Sequence, residues 1–153
     1  MERTLVILKP CTIQRGLIGE IIARFEKKGL ILEGMKMTWL TDEILSEHYA
    51  HLKERSFFQR VKDAMAVCPV IVCCWKGVDA VNVVRTLAGS TNGRNAVPGT
   101  IRGDYSMSVQ ENIVHASDSP ETAAIELKRF FNEDELFSYE TKNLLSLYAN
   151  DEF

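Results

Sequence analysis

Hydrophobic positions come in two kinds of run along this chain. Thr4 to Lys9 is a short apolar stretch closed by Pro10, too brief for a helix and suited to a buried strand. From Ile18 the period changes. Ile18, Ile21, Ile22 and Phe25 follow i, i+3, i+4, i+7 spacing, and Gly29 lies just past Lys27 and Lys28, where a helix ends in left-handed geometry with cations over its last carbonyls. A helix over 17–28 is predicted. Leu30, Leu32, Met35, Met37 and Trp39 alternate with one offset around Gly34, the pattern of a long strand over 30–40 that carries a bulge. Thr41 offers an N-cap, with Asp42 and Glu43 in the first turn of a helix reaching about His51, and Phe57 to Val67 reads as another helix. Pro69 to Lys76 is a second run of branched apolar residues, hence a second central strand, and Val78 to Ala88 returns to helical spacing.

Residues 89–104 hold four glycines and one proline with no sustained period, so they form a long structured loop. After the apolar pair Ile113-Val114, Ser119-Pro120-Glu121 supplies a cap, a proline at the first helical position and an acid in the first turn, which opens a helix through Phe131. The last 22 residues, 132–153, are mixed. Their Leu136, Phe137, Leu144, Leu145, Leu147 and Tyr148 are read as packing against the domain or a neighbouring subunit.

This order predicts an α+β fold, a ferredoxin-like split β-α-β sandwich: a single four-stranded antiparallel sheet with helices packed on one face. With 153 residues the chain suits one domain over 1–153, with 132–153 as a C-terminal extension. Hydrophobic residues at 46% and charged residues at 25% exclude disorder and rod-like repeats. The longest apolar stretch, Val70 to Trp75, falls well short of the ~20 residues a membrane span needs. Nor does the amino-terminal run resemble a secretory signal, so a cytoplasmic location and no membrane partner are expected. Cys11, Cys68, Cys73 and Cys74 form no Cys-x-x-Cys pair, which argues for free buried thiols rather than a zinc site. The formal charge of 18 − 21 = −3 disfavours nucleic acid as a partner.

Polar residues at apolar positions then single out a site. The stripe Ile44, Leu45, His48, Tyr49, Leu52 puts His48 and Tyr49 on the buried side of their helix. Arg85 shares a face with Val81 and Ala88, and an arginine there wants an anion. Glu126 sits at the edge of the Ala123, Leu127, Phe130 stripe, where a carboxylate needs a donor. Taken singly, each is explained by an intramolecular ion pair or a satisfied core polar group; the three together point to a site. The glycine-rich loop adds Thr91, Arg94, Thr100 and Arg102, a composition suited to phosphate oxygens, without a Walker pattern. His115 lies between a short strand and the cap Ser117-Asp118-Ser119, so a nucleophile and an anion site would be adjacent.

The run Asn112-Ile113-Val114-His115-Ala116-Ser117-Asp118-Ser119, preceded by Pro98-Gly99-Thr100-Ile101-Arg102-Gly103-Asp104, resembles the active-site signature of nucleoside diphosphate kinases. The resemblance extends through Ile7-Leu8-Lys9-Pro10, Gln14 to Glu20, His48-Tyr49 with Leu52-Lys53, and Phe57-Phe58, covering about residues 4 to 131. It implies a ping-pong enzyme that moves the γ-phosphate of a nucleoside triphosphate such as ATP or GTP to a nucleoside diphosphate through a phosphohistidine on His115. Ser117 and Glu126 would orient that imidazole, with Tyr49 beside it. Lys9, His48, Arg85, Thr91, Arg102 and Asn112 would hold phosphates and ribose, and Phe57 and Val109 would sandwich the base. Mg2+ would ride on the nucleotide phosphates rather than on protein ligands. The resemblance also implies a homo-oligomer, a hexamer foremost, then a tetramer or dimer. Cys11-Thr12, Gly93, Ala116 and Glu111 depart from the family pattern: Gly93 stands where a proline is common, and Ala116 where a glycine follows the histidine.

Such equipment suits phosphoryl transfer, which needs positioning and charge stabilisation more than covalent assistance. Neutral imidazole attacks, so activity should fall as pH drops through the histidine titration. A non-catalytic relative that binds nucleotide or a partner protein is the competing reading; it predicts affinity without exchange.

Overall fold

The structure, a computed structural model, describes residues 1–153. Four strands build one sheet: β1 (Glu2–Leu8), β2 (Ile31–Thr38), β3 (Val70–Gly77) and β4 (Val114–Ala116), in the spatial order β2-β3-β1-β4. All neighbours are antiparallel, with Val6 opposite Cys73 and Ile7 opposite His115. The predicted split β-α-β sandwich is therefore present.

Eight α-helices accompany the strands, six between them and two after β4: α1 (Pro10–Gln14), α2 (Ile18–Lys28), α3 (Asp42–His48), α4 (Phe58–Met65), α5 (Ala80–Ala88), α6 (Ile101–Tyr105), α7 (Pro120–Phe130) and α8 (Leu144–Leu147). Their ends follow the expected chemistry. Gly29 closes α2 at φ 101, and the hydroxyls of Thr41 and Ser119 accept hydrogen bonds from the amides of Ile44 and Thr122 at the starts of α3 and α7. The short helices α1 and α6 were not expected. Gly103 lies inside α6 and lowers its propensity, yet the Thr100 hydroxyl caps the Gly103 amide and holds that turn.

Helices on one face of the sheet prove to be a wrong expectation. Val6, Leu8, Cys73 and Trp75 face Phe25 of α2 and Val84 of α5, while Leu5, Ile7, Val72 and Cys74 face Leu45 of α3 and Leu127 of α7. The physical reason is in the strands themselves. β1 and β3 are apolar at successive positions instead of alternating, so each must bury both faces.

The bulge foreseen near Gly34 falls between Leu32 and Gly34, and the extra residue is Glu33. Beyond it, Met35 and Met37 of this edge strand are exposed, as is Trp39 just after it. The 132–153 segment runs along the same edge. The Phe137 amide donates to the Glu33 carbonyl, the Tyr139 hydroxyl to the Leu32 carbonyl, and Leu147 lies against Gly29. Leu136 packs into the core, whereas Phe137 and Leu145 stay exposed. All four cysteines are free thiols; Cys11, Cys73 and Cys74 are buried. No helix is long and apolar enough to cross a membrane.

Candidate active site

The other edge of the sheet borders a cavity of about 810 Å³. Its wall is drawn from the end of β1, from α3, α5 and α7, from β4 and from the loops around them, a volume suited to a ligand of nucleotide size. Lys9, His48, Tyr49, Phe57, Arg85, Thr91, Arg102, Val109, Asn112, His115 and Glu126 all line it, although they span the sequence from 9 to 126. Ser117 is fully buried behind Glu126. Thus all twelve of these residues are at this cavity or in contact with a group that lines it.

His115 is the middle residue of β4, so the strand fixes its backbone while α7, starting five residues later, brings Glu126 beside it. Its Nε2 lies 2.9 Å from Glu126 Oε1, and the Ser117 hydroxyl donates to Glu126 Oε2 at 2.5 Å. Burial pushes the Glu126 carboxyl up, but the hydrogen bonds and charge of His115, with Ser117 and His48, outweigh it and hold the group below its ordinary value. An ionised carboxylate only accepts hydrogen bonds, so the imidazole proton resides on Nε2 and the lone pair on Nδ1. A buried carboxylate has thereby selected the tautomer of a ring that lines the cavity.

His48 stands edge-on to His115, with ring centroids 4.5 Å apart. Its Nδ1 faces Nη1 of Arg129 at 3.2 Å, and its Nε2 is buried without a polar partner. Burial, then the neighbouring His115, lowers its pKa to about 3, so it is a neutral ring. The resemblance implied that His48 would hold phosphates or ribose; it lines the cavity, and since Arg129 only donates, its Nδ1 accepts and its Nε2 carries a proton without a protein partner. Tyr49 packs against His48, and burial followed by the Glu126 charge raises its phenol, which stays neutral.

Cations collect at one end of the cavity. Lys9 Nζ donates to Asn112 Oδ1 at 2.6 Å and to the Gln110 carbonyl at 3.1 Å, and Asn112 Nδ2 donates to the Thr91 carbonyl at 3.0 Å. Burial and the nearby Arg102 lower the Lys9 pKa to about 8. Arg102 donates to the carbonyls of Asn112, Gly89 and Val114, tying three segments of the wall together, and burial with Arg85 alongside brings its pKa down to about 10. Arg85 itself is exposed at this wall rather than buried among the apolar residues of α5.

Ile113 is where the chain turns to make this possible. It has φ 73, an unfavourable left-handed conformation for a β-branched residue, which typically costs about 1–3 kcal/mol. The strain is held by a buried side chain and by a carbonyl that accepts from the Lys9 amide and the Thr12 hydroxyl. The reversal lets Asn112 reach Lys9 while β4 continues to His115.

The glycine-rich loop divides. Thr91 and Arg102 line the cavity, but Arg94 donates to the Met107 carbonyl and Thr100 caps α6, so neither of these belongs to the site. Gly93 is buried there. Its amide donates to the Ser108 carbonyl, and a Cβ would come within 2.3 Å of the Ser106 carbonyl oxygen, so a proline would lose the bond and clash. Sequence reasoning missed Arg129, Arg60 and Gln110. For Arg129 a signal existed: it stands three residues after Glu126 on the same helix face.

A family model described as nucleoside diphosphate kinase matches residues 2–136. The chain belongs to the nucleoside diphosphate kinase family. The nucleoside diphosphate kinase of Parabacteroides distasonis is 86% identical over 153 residues, the full length of both chains. That of Pyrococcus abyssi is 50% identical over 141 residues, 90% of this chain and 89% of the other. Among solved structures, a halophilic nucleoside diphosphate kinase from Halobacterium salinarum, in complex with CDP, superposes with a TM-score of 0.94 at 39% identity, covering 96% of this chain and 98% of that one. The activity is that of a nucleoside diphosphate kinase, transfer of a phosphoryl group from a nucleoside triphosphate to a nucleoside diphosphate. Its substrates are nucleotides, and kinases of this family generally work with a divalent metal.

Proposed function

We propose that the exchange runs through a phosphohistidine on His115. The carrying observation is the Ser117–Glu126–His115 chain of hydrogen bonds, which leaves Nδ1 unprotonated beside a cationic wall. In the first half reaction the Nδ1 lone pair forms a bond to the γ-phosphorus as the bond to the β–γ bridging oxygen breaks, and the diphosphate leaves. A second diphosphate then attacks the phosphohistidine in reverse, so one cavity serves both substrates.

In this reading Lys9, His48, Arg85, Thr91, Arg102 and Asn112 hold phosphates and ribose, and Tyr49 stands beside the imidazole. Phe57, 37% exposed, and Val109, 52% exposed, receive the two faces of the base. An aromatic face accepts any base, which supports broad substrate use. For the metal we propose Mg2+ carried by the nucleotide phosphates. His48, His115 and Glu126 do place three ligand atoms within 4.8 Å of one another, but Glu126 is already committed to His115 and Ser117, and Arg129 occupies Nδ1 of His48. The cationic wall fits phosphates that bring their own ion; that ion would offset charge on the phosphate oxygens. We further propose a homo-oligomer, a hexamer foremost, supported by exposed Met35, Met37, Val97 and Met107, and a cytoplasmic location. Sedimentation and cell fractionation test these two.

The chemical test is labelling with ATP carrying a radioactive γ-phosphate. The expected result is an acid-labile, base-stable phosphoenzyme that passes its label to GDP, with both steps lost in His115→Ala. Nucleotide binding without label on the protein would establish the non-catalytic alternative.

A further inference from the structure

The two residues assigned to the base each have a polar neighbour, and these neighbours meet. Arg60 stands one turn beyond Phe57 on α4, and Gln110 follows Val109 on the facing loop. Arg60 Nε donates to Gln110 Oε1 at 3.0 Å, a contact between residues 50 apart in sequence, and both side chains line the cavity. Gln110 is held from its own side as well. Its carbonyl accepts from Lys9 Nζ, its amide donates to the Ser108 hydroxyl, and its Nε2 donates to Glu111 Oε1. The acceptor that orients Arg60 is thus fixed by the same loop that meets the cationic end. The Nη1 and Nη2 groups of Arg60 have no protein partner.

We infer that Arg60 is a specificity-determining residue: its guanidinium, oriented by Gln110, reads the edge of the base stacked between Phe57 and Val109 and favours keto bases over amino bases. This rests on the assignment of Phe57 and Val109 to the base. A base clamped by its two faces has only its edges left for hydrogen bonding. Guanidinium is donor-only, so it rewards an edge of acceptors and disfavours an edge that presents an amine. Guanine offers O6 and N7 together, where adenine replaces O6 with an amine; uracil offers O4, where cytosine has an amine. Stacking alone predicts no such division.

The test compares nucleoside diphosphates within each ring size, so that stacking area cancels. Enzyme phosphorylated in advance is mixed in single turnover with GDP, ADP, UDP or CDP, and loss of the phosphoryl label gives each second-order rate. The native enzyme is expected to favour GDP over ADP and UDP over CDP by about fivefold, the lower range for an exposed arginine–base contact. Arg60→Lys keeps the charge but not the planar fork, and should bring both ratios to about one. Ratios of one in the native enzyme, or ratios that survive Arg60→Lys, overturn the inference. Phe57→Ala serves as the separate control: it should slow all four acceptors alike, by about tenfold. If it slows none, the base assignment fails and this inference falls with it; if it slows all four while Arg60→Lys leaves the ratios unchanged, only the inference about Arg60 fails.

Discussion

Two buried carboxylates sit near opposite edges of the sheet and do different work. Glu33, at the bulge of β2, is 1% exposed; Glu126, on α7 beside β4, is 5% exposed. Burial pushes both carboxyls up, and in both the partners prevail and hold the group below its ordinary value. The partners differ in kind. Glu33 takes Lys76 Nζ at 2.9 Å, Arg3 Nε at 2.5 Å and the Ser138 hydroxyl at 3.3 Å, so two cations on neighbouring strands and the C-terminal segment are fastened to one anion. Glu126 takes Ser117 and the imidazole of His115, a ring that lines a cavity and has a second nitrogen free to react. Burial and a lowered pKa therefore do not distinguish a catalytic carboxylate from a structural one. What distinguishes them is whether a partner has chemistry left over.

The largest effect should come from Glu126→Gln. The amide preserves shape but no longer dictates the Nε2 proton, nor does it balance charge developing on the ring, so kcat should fall by roughly 10²-fold or more. Steady-state exchange assays and thermal melts on the same sample check this; a normal kcat would reduce Glu126 to a structural group like Glu33. The converse substitution, Glu33→Gln, leaves two partly exposed cations, Arg3 and Lys76, without their buried anion. It should destabilise by about 1–3 kcal/mol, lowering Tm by roughly 2–12 °C, while exchange measured well below the melt stays native. Loss of kcat there would erase the comparison.

The same pair shows how much the sequence discloses. Glu126 was readable because it borders a helical apolar stripe, and period 3.6 locates such an edge position well. Glu33 was not: the bulge around Gly34 could be foreseen, but which way its extra residue points depends on Arg3 and Lys76 arriving from two other strands. Helix ends at Gly29, Thr41 and Ser119 were legible because caps are local chemistry. By contrast, the His48–Arg129 contact and the Arg60–Gln110 contact join residues 81 and 50 apart, and no spacing rule announces them. The uninterrupted apolar runs of β1 and β3 did signal a sheet covered on both faces, a signal outweighed by the simpler one-face pattern.

Acidification should separate the two edges. His48 has a pKa of about 3 in the fold against an ordinary value of 6.5, so between these the unfolded chain binds the extra proton and stability declines as pH falls from 6.5 toward 3. Glu33 and Glu126, both lowered below 4.5, add their loss only as pH falls through 4.5 and beneath it. Urea midpoints should thus begin to drop already between pH 6.5 and 5, and His48→Gln should flatten that part of the curve while leaving the steeper part below pH 4.5. A native midpoint constant from pH 7 to 5 would contradict a neutral buried His48.

Two lysines sharpen the contrast with the smallest effect. Lys76 faces the Glu33 carboxylate, whereas Lys9 faces a carbonyl and the amide oxygen of Asn112, with Arg102 nearby and no carboxylate in contact. Burial and Arg102 consequently lower the Lys9 pKa to about 8, and the free enzyme sheds that charge as pH rises through 8. A nucleotide phosphate would stabilise the charged form, so binding must take up a proton above that point, and KM for the diphosphate should rise a few-fold between pH 7.5 and 9 with kcat less affected. Lys9→Arg stays charged throughout and should remove this alkaline rise even if its longer fork raises KM at every pH. A rise that persists unchanged in Lys9→Arg would assign the titration to another group and leave Lys9 as a fastener of the Gln110–Asn112 loop, the same kind of work Lys76 does across the sheet.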